Sequence, residues 1–176
     1  MAASASVSTL LVNHLANRLG AAELLWLRNA VSDIAGLTLV DPTARRSAQI
    51  LYSQAVRHAP RTPLKPTMAE SATLAAARSG LDVSSWTLDH VARAALLAAL
   101  PGSDPDALLA MVDALAASAD LQELIALYQS LPLLPHPPRW VARAAEGVRS
   151  NMRAVFAAIA LDNPYPAEHL DEGAWH

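Results

Sequence analysis

Apolar residues recur three and four positions apart along most of this chain, and glycine, proline and capping residues cut the runs at short intervals. The pattern predicts about eight helical segments and no sheet. A first helix spans about Val7 to Leu19 with Gly20 as its stop, and a second runs from Ala21 to Ala35 and ends at Gly36. Asp41 then offers a side-chain cap while Pro42 sits where a missing N–H costs nothing, which opens a helix to about His58. The proline-broken stretch APRTPLKP, 59–66, reads as a loop, followed by a shorter helix near Met68 to Ser79 closed by Gly80. Ser85 or Thr87 starts the next helix, and Pro101-Gly102 breaks it after Leu100. Ser103 with Asp106, and Asp120 with Glu123, have the spacing of capping boxes, so DALLAMVDALAAS and LQELIALYQSL form an antiparallel pair joined by a tight turn. No fixed-period repeat names a solenoid family.

The group LPLLPHPP separates that pair from a last helix spanning about Pro138 to Leu161, roughly 36 Å at 1.5 Å per residue. At helical spacing Val141, Ala145, Val148, Met152, Val155, Phe156 and Ile159 share one broad stripe, expected to be core. Beside it runs a row of small residues, Ala144, Gly147, Asn151, Ala154 and Ala158, which would let a second element approach closely. Two buried faces imply a long, central C-terminal helix. Asn163-Pro164-Tyr165-Pro166 stops it, since proline disfavours helical geometry in the residue before it and fixes its own φ.

Composition sharpens the picture. The chain is 53% hydrophobic but only 5% aromatic, so its apolar content is mostly Ala, Leu and Val, a mixture that favours helices over strands. An all-α bundle or short solenoid-like array of helical hairpins is expected, and 176 residues suit a single helical domain over 1–176. A net charge of −3 gives no basic footprint for nucleic acid. The absence of cysteine removes thiolate, zinc-thiolate and iron-sulfur chemistry and fits a reducing compartment. MAASASVSTLLVNHLANRLG lacks the basic n-region of a signal peptide, and no apolar run is long enough to span a bilayer, so a cytoplasmic location is expected.

Candidate chemistry concentrates near the C-terminus. Arg149 could hold an anionic group and Asn151 could recognise a ligand through its amide. From spacing alone structural partners are the better reading of both: Glu146 for Arg149, a neighbouring helix or loop for Asn151. Two prolines around Tyr165 make a turn stiff enough to hold a phenol against a pocket, or simply to pack it on the helix. Glu168, His169, Asp171 and Glu172 lack metal-ligand spacing, so no metal and no cofactor is expected. Arg139, Arg143, Arg149 and Arg153 are balanced only by Glu146 within the helix, which suggests that the acidic tail from Asp162 folds back on it. His14, His58, His90 and His136 are isolated and receive no role, and Trp26, Trp86, Trp140 and Trp175 read as packing anchors. No glycine-rich phosphate loop or serine elbow occurs.

The segment RSNMRAVFAAIALDNPYPAEHLDEGAW resembles the C-terminal signature of the EboA family: an arginine-x-asparagine pair at Arg149 and Asn151, then Phe156, Ala158-Ile159-Ala160, and Asn163 to Pro166. These residues cover about a sixth of the chain, and family members continue past the final tryptophan, so a C-terminal helical extension would be missing here. The family's gene clusters carry prenyltransferase-like, cyclitol-synthase-like and hydrolase-like neighbours and are linked to moving biosynthetic precursors out of the bacterial or algal cytoplasm. The resemblance therefore implies an accessory or binding protein for a small, lipid-linked or free metabolite, with other proteins of the cluster as partners. By their chemistry and the motif match, Arg149, Asn151, Asn163 and Tyr165 are the candidate substrate-binding residues, and Arg149, Asn151 and Tyr165 are expected to converge on one recess. Two alternatives stand beside it: an isomerase or transferase on a sugar-like or cyclitol-like substrate, with Tyr165 or His169 as proton donor, and a helical scaffold for cluster partners.

Overall fold

Helix capping sets the architecture from the first described residue. In the computed structural model, which describes residues 6–176, the Ser6 hydroxyl accepts the Thr9 amide at 3.1 Å and opens α1 (Val7–Leu15). Residues 1–5, part of the segment read above for a signal peptide, lie outside the described residues. α2 (Ala21–Ala35) ends at Gly36 as the sequence predicts. Asp41 caps α3 (Pro42–Gln54) by accepting the Thr43 amide at 2.8 Å, and a 3-10 turn over Ala55–Arg57 completes that segment. α4 (Met68–Ala77) begins with a capping box between Thr67 and Glu70, a spacing passed over in the sequence. Arg18 then clasps the Glu70 carboxylate with two bonds of 2.8 Å, tying the end of α1 to α4. The Arg18 guanidinium lowers the Glu70 carboxyl to about 2.

The next hairpin corrects one cap and keeps the other. α6 (Pro105–Ser118) is capped by Asp104, not Ser103, because Pro105 takes the first helical position and Asp104 accepts the Asp106 and Ala107 amides. α7 (Leu121–Ser130) has the expected Asp120–Glu123 box. Between α4 and α6 lies α5 (Leu88–Ala98), whose residues from Leu88 to Leu97 are all buried. α1, α5, α7 and α9 (Arg153–Ala160) pack successively side by side, and one continuous hydrophobic core runs from Leu11 to Tyr165. Among the described residues there are ten α-helices and no β-strand, the last helix being α10 (Tyr165–His169). No helix among them is long and apolar enough to cross a membrane.

The closing segment is helical over most of its expected length but divides at residues 149–152 into α8 (Val141–Val148) and α9. Ser150 and Asn151 favour side-chain bonds to nearby backbone over helix continuation, and the Ser150 hydroxyl accepts the Met152 amide at 3.1 Å, leaving Met152 extended. The break re-aims α9. Met152 (49% exposed) and Phe156 (38% exposed), placed by periodicity on the core stripe, face outward, while Val148, Val155 and Ile159 stay buried. The small-residue row keeps its role at Gly147: a Cβ there would lie 2.6 Å from Cε1 of the Tyr128 ring, so α8 meets α7 only because that position is bare.

Candidate functional site

A cleft of about 320 Å³ opens where α5, α7 and α9 come together, near the lower end of the range for small-molecule sites. Trp86, Ile125, Ala154, Ala157, Ala158 and Leu161 give it apolar walls, and Ser85, His90, Gln129, Asp162 and Asn163 supply polar groups. Its space comes from the alanines of α9: a longer side chain at Ala157 or Ala158 would fill it. Its rim comes from the end of α9, where Asp162 adopts a left-handed conformation (φ 53°) that aspartate tolerates better than most residues and that turns the chain back past the opening.

His90 is the best defined polar group of the cleft. It projects from the buried helix α5 and is only 6% exposed. Its Nε2 lies 3.0 Å from Gln122 Oε1 and 4.0 Å from Asp89 Oδ2, two acceptors that place the ring proton on Nε2. Nδ1 is then a bare acceptor, and it has no hydrogen-bond partner. Burial pushes the imidazole below the usual histidine range, against the pull of Asp89, so the ring is neutral at pH 7. Gln129 Oε1 is a second buried acceptor without a partner. Buried polar atoms are nearly always satisfied; four lack a partner among the described residues, and two of them, His90 Nδ1 and Gln129 Oε1, belong to residues lining this cleft. A neutral imidazole in this state can accept a hydrogen bond or a proton.

Behind His90 lies a charged cluster that the core encloses. Arg93, fully buried on α5, donates from Nη1 to Asp89 Oδ2 at 2.9 Å and from Nε to the Tyr52 carbonyl at 3.3 Å. Its guanidinium carbon stands 5.6 Å from the Tyr52 ring centroid, and Nη2 is 4.0 Å from Glu123 Oε1. The Tyr52 hydroxyl donates to the Glu123 carbonyl at 2.5 Å, and burial pushes that phenol far above its ordinary range. The cluster joins α3, α5 and α7 and fixes the turn of α5 from which His90 projects. Its sequence signal is an Asp89–Arg93 pair at i,i+4 in an otherwise apolar helix, where isolated charges would be too costly to bury unpaired. His90, isolated in sequence, carried no such signal.

The four motif residues do not share one recess. Arg149 is exposed and donates from Nη1 to the Ala174 carbonyl at 3.2 Å, and Asn151 is exposed at the break between α8 and α9. Tyr165 is fully buried and donates its hydroxyl to the Pro137 carbonyl at 2.5 Å, while burial raises its phenol to about 12. Asn163 alone of the four lines the cleft. Its amide donates to the Tyr128 and Ala158 carbonyls at 3.0 and 3.1 Å, and its oxygen accepts the Tyr165 amide at 3.0 Å, so it staples the NPYP turn to α7 and α9. Stiffness at the turn serves packing.

The tail does return to α8, through Arg149 and the 3-10 turn Glu172–Trp175, but Arg139 and Arg143 pair with Asp106, Asp113 and Glu146 instead of the tail. Trp140 and Trp86 are buried anchors and Trp26 stacks on His58 at 4.0 Å, whereas Trp175 is exposed. His14 and His136 face backbone carbonyls. No group of three metal-ligating side chains occurs among the described residues.

No curated protein and no solved structure matches the chain. One family model does, described as metabolite traffic protein EboA, and it matches residues 7–176, far beyond the C-terminal signature. By that match the chain belongs to the EboA family.

Proposed function

We propose that this chain is a cytoplasmic binding protein for a small metabolite in transit to synthesis or export, and that the cleft between α5, α7 and α9 is where the metabolite sits. The observation that carries the reading is the pair of unpartnered buried acceptors, His90 Nδ1 and Gln129 Oε1, on residues lining a cleft of about 320 Å³. The family description supports the traffic role. Asn163 and Tyr165 act here as positioning residues that hold the cleft wall, while Arg149 and Asn151 lie on the outer surface at the α8–α9 break, available to a partner from the same cluster. The Tyr165 hydroxyl is sealed and bonded to Pro137, so it is not available as the proton donor of the enzyme reading.

The test is capture from a cytoplasmic metabolite extract, followed by desalting, denaturation and mass spectrometry of what is released. Wild-type protein should enrich one or a few compounds, and Ala157→Trp, which fills the cleft from a half-buried position, should abolish that enrichment with the helical circular dichroism unchanged. Equal enrichment by both proteins would place binding elsewhere.

A further inference from the structure

The polar chemistry of the cleft selects its ligand. Asp162 is the one acidic or basic side chain that lines it apart from neutral His90; no lysine or arginine does, although the chain has thirteen of them. Among the described residues no cation pairs with Asp162: the ion pairs involve other carboxylates. The unmet demand in the dry part of the site is for donors, since His90 Nδ1 and Gln129 Oε1 both lack a partner. The Asn163 amide cannot answer an anion, because Nδ2 already donates to the Tyr128 and Ala158 carbonyls.

Resting on the reading of this cleft as the metabolite site, we infer that it takes a protonated amine carried on a compact apolar body. The ammonium brings donors to acceptors that lack them and a positive charge to the unpaired Asp162 carboxylate. Trp86, Ile125, Ala157 and Leu161 cover the apolar body. An anion would lose its hydration without gaining a cation or a free Asn163 donor, and would meet Asp162 as a like charge. Burial of His90 reinforces the selection, because the neutral ring offers an acceptor at Nδ1 where an imidazolium would offer a second donor.

Three probes of one shape separate the contributions: 2-phenylethylamine, 2-phenylethanol and phenylacetate, titrated at pH 7 while the Trp86 indole N–H is followed by NMR. The amine should bind about tenfold more tightly than the carboxylate, and Asp162→Asn should weaken the amine about threefold while leaving the alcohol unchanged, the scale of one solvent-accessible ion pair. Asparagine keeps the left-handed turn at this position, so the substitution tests charge alone. Phenylacetate binding as well as the amine, an alcohol equal to the amine, or no response of the Trp86 indole to the amine would each overturn the inference. These outcomes leave metabolite capture and its loss in Ala157→Trp as a separate result, so a wrong ligand class is distinguishable from a wrong site.

Discussion

Replacing Asn163 with alanine separates a positioning role from a ligand-binding one. The side chain makes three hydrogen bonds, to the Tyr128 carbonyl, the Ala158 carbonyl and the Tyr165 amide, at 3.0 to 3.1 Å. The Tyr128 carbonyl keeps its bond from the Leu131 amide, so losing the Asn163 bond does not leave it unsatisfied. At about 1 kcal/mol net for each bond, the substitution should cost about 3 kcal/mol. For a chain of this length each kcal/mol moves Tm by about 2–4 °C, which gives a drop of about 6–12 °C. Thermal unfolding followed by circular dichroism measures it directly, and urea unfolding should show a lower midpoint at unchanged slope. Asn163→Asp should cost more than alanine, since it turns a donor toward two carbonyls into a carboxylate oxygen. Asn151→Ala is the control: the side chain is exposed, and its loss should change stability by less than about 0.5 kcal/mol. An Asn163→Ala protein melting within about 1 °C of wild type would refute the reasoning.

Gly147→Ala should destabilise by about 1–3 kcal/mol in urea unfolding, despite alanine's better helix propensity, because the new methyl meets the Tyr128 ring at 2.6 and 2.9 Å and Ile159 Cγ2 at 3.0 Å. Arg93→Met should cost about 3–5 kcal/mol by stranding Asp89 in the core, and adding Asp89→Asn should recover part of that loss in the same assay. Glu70 has a folded pKa lowered to about 2, so its contribution is present above its ordinary 4.5 and is lost as pH falls from there toward 2. Tm measured across that window should fall less steeply for Glu70→Gln than for wild type, and parallel curves would exclude the Arg18–Glu70 pair as a source of acid sensitivity.

Local chemistry made the helices legible where one residue decides. Asp41-Pro42, the Asp120–Glu123 box and Gly36 act within a few residues, and each marks a helix end in the structure. At Ser103-Asp104-Pro105 two capping residues competed, and proline at the first helical position settled it for Asp104. Periodicity failed at 149–152 because Met152 and Phe156 continue the apolar stripe numerically while the Ser150 hydroxyl accepts the Met152 amide and the helix breaks ahead of both. The candidate site was less legible still. An amide near an apolar stripe reads the same whether it binds a ligand or staples a turn, and at Asn163 only the partners in space decide it. His90 gave no sequence signal at all, since its importance rests on Gln122, thirty-two positions away, occupying one ring nitrogen and nothing occupying the other.

The most direct test follows the two imidazole nitrogens of His90 by nitrogen NMR, assigned against His90→Gln, before and after addition of the metabolites the protein captures. A proton resident on Nε2 at neutral pH, with a bare Nδ1 whose resonance moves on ligand addition, is the predicted result. A protonated Nδ1, or a ring indifferent to every captured compound, would contradict the assignment of this cleft as the binding site.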